Sequence, residues 1–585
     1  MIPSEIGAVK KTWRGKISVC LIYPNYYHLA MSSLGFQTVY AQLNAMDHVV
    51  CERVFLTENR LKGLKAAASL ETSRALKEFD ILAFSISFEN DFPNILSILQ
   101  SGEIPWLSDD RSDSHPLVVA GGVACFLNPE PVAPFFDLFF LGESEGMLDQ
   151  FFRNFDPSGS RHNNLLEIAQ KVPGVYVPSF YKVSYKEDGT LAGFEPKEDV
   201  PKKIVKVYME DLSRFSTTST ILTKDTSFGN TYLMEVSRGC GHGCRFCGAG
   251  YIYRPPRYRP LALLAENLKA GACRSNRIGV LGAAVSDHPD IEKLCIMAQE
   301  KNLQLSFSSL RVNALCDELI QALRNSNVKT ATIAPEVGTQ RMLNVINKGI
   351  SIEQVLRAAE TIVAGGIPNL KLYFMVGLPG ETMEDVNAIV TLCKKIRHGF
   401  LKSSRIQKHI GEITVSLNSF VPKPSTPFQW AAMDDISTLK KKIKCVREGL
   451  KKVPNLKVHA DVPRWAYLQG LLSRGDRKVS ALISQSVKNH GNWPKTFKET
   501  FLNSDFYVLR KRSENELFPW DFIDHGIDKS FLLKEYHRAL NAKTSPACPN
   551  TKPCFACGVC GKKQPTKSAA PPSLNFIEKS CANDT

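Results

Sequence analysis

Short apolar runs alternate with segments of helical periodicity along the first third of the chain. This alternation predicts an α/β domain with a parallel sheet between helices, the doubly wound arrangement. Its predicted strands are Lys16–Tyr23, Asp80–Ser87, Leu117–Ala120 and Leu138–Leu141. Gly121 and Gly122 directly follow the third strand, where glycine lets the backbone either turn tightly or approach a cofactor at the carboxyl edge of the sheet.

A second α/β region starts near residue 231. Its six apolar runs, mostly separated by helical stretches, predict a partial (β/α)6 barrel. The predicted strands are Thr231–Val236, Ile278–Leu281, Leu303–Ser308, Thr330–Ile333, Leu370–Val376 and Ile413–Leu417. The predicted organisation is an α/β domain over 1–190, a linker over 191–230, the barrel over 231–460, a helical region over 461–545, a cysteine cluster over 546–562 and a disordered tail over 563–585.

The formal net charge of the 585 residues is +15. An excess of Lys and Arg attracts polyanions, although charge alone is more typical of a merely well-solvated basic surface. One segment interleaves basic and aromatic side chains, which suits an RNA substrate or a phosphate-bearing small molecule. The residues are Tyr251, Tyr253, Arg254, Arg257, Tyr258 and Arg259.

Cysteine usage indicates metal binding in a reducing compartment. Seven of the 16 cysteines fall into two tight groups, and the rest are scattered. Clustered cysteines without a leader peptide are typical of metal ligands. The first residues show no basic segment followed by an apolar run, and no apolar stretch is long enough to span a membrane. We therefore expect a cytoplasmic protein without a membrane partner.

The first cysteine group is a C-x3-C-x2-C segment that places Cys240, Cys244 and Cys247 after a predicted barrel strand. The carboxyl end of such a strand is the active face of a barrel. Three thiolates on a four-iron cluster leave one iron open for chemistry, whereas a structural zinc site needs four ligands. His242 is the candidate fourth zinc ligand, but its place on a tight glycine loop makes it poorly suited to that role.

With this spacing, and with Phe246 before its third cysteine, the segment resembles the signature of the radical S-adenosylmethionine (SAM) superfamily. The resemblance implies an enzyme with a 4Fe–4S cluster on the three cysteines. In that family the reduced cluster cleaves SAM to a 5′-deoxyadenosyl radical. It also implies a reducing partner such as flavodoxin or ferredoxin.

Further segments resemble the SAM-binding parts of the same superfamily. Gly282 and Ala283 stand where many members carry a Gly-Gly-Glu run that holds the methionine amino group. Ser308 and Arg311 end the third predicted barrel strand, and Glu336 ends the fourth. The resemblance implies that these residues contact SAM, with Arg311 and Glu336 at its ribose hydroxyls or carboxylate. The alternative for the two charged residues is a buried ion pair.

The N-terminal region resembles the cobalamin-binding-type domain of one branch of radical SAM enzymes. The resemblance rests on Tyr23–Phe36, Cys51–Phe55 and Gly142–Gly146. The cobalt-ligand motif Asp-x-His-x-x-Gly is absent, because the first loop offers His28 without the Asp or the Gly. A metal-bound His usually has such a partner. We expect that this domain either binds cobalamin without a His ligand or has lost the ability to bind cobalamin.

The second cysteine group comprises Cys548, Cys554, Cys557 and Cys560. Its C-x2-C-x2-C run resembles the start of a ferredoxin ligand set, with Cys548, or the more distant Cys581, as the fourth thiolate. A four-cysteine zinc site is the alternative, and the following lysines at 562 and 563 suit a phosphate. The spacing leaves both metals open.

The sequence supports two hypotheses about function, which belong to different classes. The first is a radical SAM enzyme that methylates or otherwise modifies an RNA or a small molecule, with cobalamin as a possible second cofactor. The second is a non-catalytic, zinc-stabilised RNA-binding protein. The three-cysteine loop at a strand end favours the enzyme, because the RNA-binding hypothesis does not account for it.

Overall fold

The computed structural model describes residues 4–56, 67–406, 410–550 and 554–561. The predicted disordered tail over 563–585 lies outside these ranges, and so do Lys562, Lys563 and Cys581. The described chain forms two α/β regions, each built on parallel strands, and a set of C-terminal helices.

The N-terminal sheet has the strand order β2-β1-β3-β4-β5-β6, parallel except for the antiparallel last strand. An order of 2-1-3-4-5 is typical of doubly wound sheets, so the predicted fold is confirmed. The strands are β1 (Ile17–Tyr23), β2 (Val49–Phe55), β3 (Ile81–Ser85), β4 (Leu117–Gly121), β5 (Leu138–Phe140) and β6 (Val175–Tyr176). The helices are α1 (Tyr27–Met31), α2 (Leu34–Ala45), α3 (Phe92–Ser101), α4 (Val123–Leu127), α5 (Leu148–Asn154) and α6 (Arg161–Lys171).

Strand β2 was not predicted, because its apolar run is broken by Glu52 and Arg53. Both side chains are buried and paired. Arg53 forms ion pairs of 2.6 Å with Glu5 and with Glu71, and Glu52 accepts a hydrogen bond of 2.7 Å from the indole of Trp13. Partners that come from other segments make burial of these charges tolerable.

The barrel consists of parallel strands in two sheets, β7-β8-β9 and β10-β11-β12-β13. The six predicted strands are present, and a seventh, β13, extends the second sheet. The pattern did not indicate β13, because its residues alternate between half-buried and exposed at an edge. The strands are β7 (Tyr232–Glu235), β8 (Arg277–Leu281), β9 (Gln304–Phe307), β10 (Thr330–Glu336), β11 (Asn369–Val376), β12 (Ile413–Ser419) and β13 (Leu456–Ala460). The helices are α7 (Ala249–Ile252), α8 (Leu261–Ala272), α9 (Ile291–Glu300), α10 (Asp317–Asn325), α11 (Gln340–Val345), α12 (Ile352–Ala364), α13 (Met383–Ile406) and α14 (Ile436–Leu450).

The segment 191–230, predicted as an irregular linker, contributes short strands to other parts of the molecule. Leu191–Pro196 forms a hairpin with Tyr181–Tyr185. Ile204–Val205 pairs with Ile523–Asp524 near the C-terminus. Leu222–Thr223 pairs with Glu5–Ile6. The segment 191–230 therefore pairs with strands near both the N-terminus and the C-terminus of the chain.

The C-terminal region is helical, as predicted, and contacts the N-terminal domain directly. The Asn128 amide donates hydrogen bonds to the carbonyls of Ser473 and Gly475, and Arg477 pairs with Glu130 at 3.1 Å. The helices are α15 (Pro463–Arg474), α16 (Val479–Lys488), α17 (Trp493–Glu499), α18 (Asp505–Val508) and α19 (Lys529–Leu540). Within the described residues, every helix is too short or too polar to cross a bilayer.

Candidate active site

The three-cysteine loop lies beyond the carboxyl end of β7, on the face where the sequence predicts it. The Cys244 side chain is buried, and Cys240 and Cys247 are half-buried. The backbone N–H of Arg245 donates to the Ile346 carbonyl at 2.9 Å, next to the end of α11. The loop is thus held against a neighbouring strand–helix unit of the barrel.

Arg245, between the second and third cysteines, fastens the loop to the C-terminal region. Its side chain is fully buried and pairs with Glu535 of α19 at 2.9 Å. The guanidinium also donates to the carbonyls of Asn344, Val345 and Lys543 at 2.8–3.0 Å. A planar group with five donors can join three segments at once, which a lysine cannot do.

His242 is not placed to serve as a zinc ligand, because its imidazole is paired with a carboxylate. Its Nε2 lies 2.5 Å from Oδ2 of Asp287, which follows β8. Asp287 in turn lies 3.9 Å from the Arg311 guanidinium. The imidazole therefore links the cysteine loop to the loop after β8.

The three-cysteine loop supplies three thiols, one fewer than a closed tetrahedral zinc site needs. Among the described residues, three candidate ligand atoms come within 4.8 Å of one another only at Glu292, Cys316 and Glu318. Ligands of a polynuclear cluster sit on different irons and need not lie that close together.

Burial governs the acidity of the loop thiols. Desolvation raises the pKa of Cys240, and it raises the pKa of Cys247 to about 11. These thiols hold their protons at neutral pH in the metal-free protein. Binding of metal as thiolates would therefore release protons.

The loops after β8 and β9 are joined by hydrogen bonds. The Ser308 hydroxyl donates to the Gly282 carbonyl at 3.1 Å, and the Arg311 N–H donates to the Ser286 hydroxyl at 3.0 Å. A Cβ on Gly282 would lie 2.6 Å from Oγ of Ser237 beside the cysteine loop, so the two loops approach each other closely there. Ala283 follows Gly282 at the same edge.

Glu336 ends β10 at a break in strand register and has a φ of +69°. This left-handed conformation is costly for a residue with a Cβ, and such residues cluster at functional sites. Its carboxylate pairs with Lys348 at 2.9 Å. The Lys348 ammonium also lies 5.9 Å from the ring centre of Phe246. Burial alone would lower the pKa of Lys348, but the Glu336 carboxylate keeps it raised.

A cavity of about 420 Å³ lies between the two α/β regions. Its inner wall is apolar and is formed by β1, β3, β4 and α2. At its mouth, Gly121 and Gly122 of the N-terminal domain lie opposite Ser237, Gly282 and Ala283 of the barrel. A Cβ at Gly122, whose φ is +108°, would lie 2.4 Å from the Ile86 carbonyl. Within the described residues no histidine lines this cavity.

The Arg/Tyr segment that suggested RNA binding is buried between the domains. Arg254, Arg257 and Arg259 are 1–7% exposed. Arg257 pairs with Glu143 at 2.7 Å, and Arg259 pairs with Glu235 at 2.5 Å. Their burial leaves these three arginines unavailable to an RNA or a phosphate group at the surface, and the charge of Arg257 joins the barrel to the N-terminal domain instead.

Glu143 is central to the domain contact and was not predicted as a site residue. Arg238 lies 2.9 Å from it and also pairs with Glu145 and Glu235. Burial would raise the pKa of Glu143, but Arg238 and Arg257 hold it well below its usual range. The sequence signal was a Gly-Glu-Ser-Glu-Gly run, which on its own does not identify a partner.

The segment that carries the second cysteine group contacts two parts of the protein. The backbone N–H of Cys548 donates to the Gly241 carbonyl at 2.7 Å, inside the first cysteine loop. The Cys557 carbonyl accepts from Asp528 at the start of α19. Cys554 and Cys560 are half-buried in the same short segment.

Comparisons with known proteins identify both α/β regions. Residues 35–178 match the model described as "Radical SAM proteins, N-terminal", and residues 234–393 match "Radical SAM superfamily". An uncharacterised protein of Methanocaldococcus jannaschii is 30% identical over 88% of this chain and 99% of its own length. A tRNA-2-methylthio-N(6)-dimethylallyladenosine synthase of Chromohalobacter salexigens is 28% identical over 30% of this chain and 42% of its own length.

Among solved structures, the radical SAM methyltransferase TsrM of Kitasatospora setae, with cobalamin and a [4Fe–4S] cluster bound, matches with a TM-score of 0.48 and 13% identity. The match covers 81% of this chain and all of that one. The two family models and the full-length relative carry the assignment. This chain is a member of the radical S-adenosylmethionine superfamily.

Proposed function

We propose that this protein is an enzyme that cleaves SAM reductively at a 4Fe–4S cluster on Cys240, Cys244 and Cys247. It uses the products to methylate or otherwise modify a small organic substrate. The observation that carries the proposal is the loop at the carboxyl end of β7, which brings three free cysteines of its own and no fourth to one place on the active face of the barrel. When bound, the cluster supplies the electron that breaks a carbon–sulfur bond of SAM.

The residues around the loop suit SAM. The linked loops of Gly282 and Ser308 offer backbone and hydroxyl groups beside the cysteines. Arg311 and the Glu336–Lys348 pair offer charges of both signs for an amino acid carboxylate, an ammonium group or ribose hydroxyls. Charged groups at adjoining strand ends can position a zwitterion before its bond is broken.

The cavity between the domains suits a corrinoid. Its apolar inner wall is compatible with an aromatic base, and its glycine-lined mouth permits close approach to amide groups. The absence of a lining histidine in the described residues favours binding without an imidazole ligand. Gly121 and Gly122 would contact the corrinoid at this mouth. A corrinoid facing the SAM site would make methyl transfer the reaction type.

A small substrate is favoured over RNA by one feature. The arginines that suggested RNA binding are buried, and two of them, Arg257 and Arg259, are paired with Glu143 and Glu235. The zinc-stabilised RNA-binding hypothesis therefore lacks its exposed basic segment.

The test is anaerobic incubation of the reconstituted protein with SAM and dithionite. 5′-Deoxyadenosine reports reductive cleavage, and S-adenosylhomocysteine reports methyl transfer. Replacement of Cys240, Cys244 or Cys247 by alanine is expected to abolish 5′-deoxyadenosine. Cys445→Ala on α14 is the matched control and is expected to retain it. Wild-type product from any of the three variants would refute the assignment.

A further inference from the structure

The chain after α19 returns to the catalytic loop. The Arg245 side chain holds the Lys543 carbonyl at 2.8 Å and lies 3.2 Å from the Ser545 hydroxyl. Three residues further on, the Cys548 N–H donates to the Gly241 carbonyl at 2.7 Å. Gly241 directly follows Cys240. A path of covalent bonds and one hydrogen bond therefore connects Cys548, the first cysteine of the C-terminal group, to Cys240, a proposed cluster ligand.

The remaining cysteines of the group are packed into the protein body. Cys557 is 6% exposed, and its carbonyl accepts from the Asp528 N–H at 3.0 Å. Val559, also 6% exposed, lies against Gly526. Gly558 has a φ of +93°, and a Cβ there would lie 2.5 Å from the Asp528 carboxylate. The backbone of this segment is thus fitted closely to the start of α19.

One side of the segment is open to solvent. Phe555, between Cys554 and Cys557, is 75% exposed. Its ring lies against Gly561, where a Cβ would be 2.7 Å from it. The aromatic ring thus lies beside the cysteines and faces outward, where an external protein can reach it.

From this placement we infer that Cys548, Cys554, Cys557 and Cys560 hold a second 4Fe–4S cluster that passes electrons to the catalytic cluster. The inference rests on the proposed function for its acceptor. A one-electron carrier protein, such as reduced flavodoxin or ferredoxin, is oxidised by one electron as the second cluster is reduced. The second cluster is then oxidised as the catalytic cluster is reduced, and no bond forms or breaks. Four thiolates close the second site to substrate, which suits electron transfer.

The first experiment counts metal in full-length protein reconstituted without oxygen. Wild type is expected to hold about eight irons with matching sulfide, and the variant lacking Cys240, Cys244 and Cys247 about four. Cys557→Ala is expected to hold about four, and Cys445→Ala is the control with the full complement. One tightly held zinc and no sulfide in the triple variant would overturn the inference. So would an unchanged iron content in Cys557→Ala.

The second experiment separates the relay from a purely structural role. SAM cleavage by Cys557→Ala is compared with reduced flavodoxin and with dithionite as the electron source. Cleavage is expected to fall at least about tenfold with flavodoxin but to change less than about twofold with dithionite, which reaches the catalytic cluster directly. Equal loss with both reductants would overturn the relay. Failure of the proposed function is distinct, because wild type would then show no cleavage with either reductant.

Discussion

Replacement of Arg245 by methionine tests the ion-pair contact between the catalytic loop and the C-terminal region. The arginine side chain is fully buried, and Glu535 opposite it is 6% exposed. Without the guanidinium, the carboxylate retains the Ser545 hydroxyl at 2.7 Å and the more distant Arg538 at 3.9 Å. Removing one partner of a buried ion pair costs about 3–5 kcal/mol, because the other charge stays buried and uncompensated.

We expect Arg245→Met to lower the local stability of α19 and of the segment that leads to Cys548. A loss of about 3 kcal/mol in opening free energy corresponds to more than about a hundredfold faster amide exchange. Hydrogen exchange read by mass spectrometry on peptides of α19 measures this directly. Peptides of α9, which packs on α8 and α10, serve as the internal reference and are expected to be unchanged.

The matched control is the double variant Arg245→Met and Glu535→Gln, which removes both charges. Because no unpaired charge then remains buried, most of the lost protection is expected to return. Exchange in Arg245→Met within about threefold of wild type would refute the reasoning. The same conclusion would follow if the double variant exchanged faster than the single one.

The remaining predictions concern one buried lysine, two residues proposed to bind SAM, and the corrinoid. Lys206 is buried without a hydrogen-bond partner for its ammonium, and burial chiefly lowers its pKa to about 8 from 10.5. The unfolded chain therefore binds more protons between these values, and stability rises with pH across that window. Lys206→Met is expected to raise the melting temperature at pH 7 and to raise it less at pH 10; an equal gain at both would contradict this. Glu336→Gln and Arg311→Ala are expected to weaken SAM binding roughly ten- to a hundredfold in equilibrium dialysis at unchanged iron content; an unchanged dissociation constant in both would leave them a structural role. Bound cob(II)alamin is expected to show no nitrogen hyperfine pattern that depends on His28, which stacks on Tyr26; loss of such a pattern in His28→Ala would refute this.

Local patterns predicted most of the fold. Apolar runs located the strands that are buried on both faces, since such strands need no partner-specific residues. Two of the strands that escaped prediction have a different origin of stability. In β2, charged residues are stabilised by Glu5 and Glu71, and β13 is an edge strand with a half-exposed pattern.

The candidate site was predictable only where its residues are adjacent in sequence. The spacing of the three cysteines is a local property and identified the loop. Lys348 was missed because its pairing with Glu336 depends on the turn after α11, and Glu143 because its partner Arg238 comes from the other domain. The buried arginines at 254, 257 and 259 were misjudged for the same reason. Composition does not show whether a basic residue meets solvent or a carboxylate.

The central claim is that the three-cysteine loop holds a cluster that interacts with SAM. Electron paramagnetic resonance of dithionite-reduced Cys557→Ala protein tests it most directly, because that variant is expected to retain only the catalytic cluster. We expect a reduced 4Fe–4S signal that changes when SAM is added, and that is absent when Cys240, Cys244 and Cys247 are also replaced. A signal that SAM leaves unchanged, or one that persists without the three cysteines, would contradict the account.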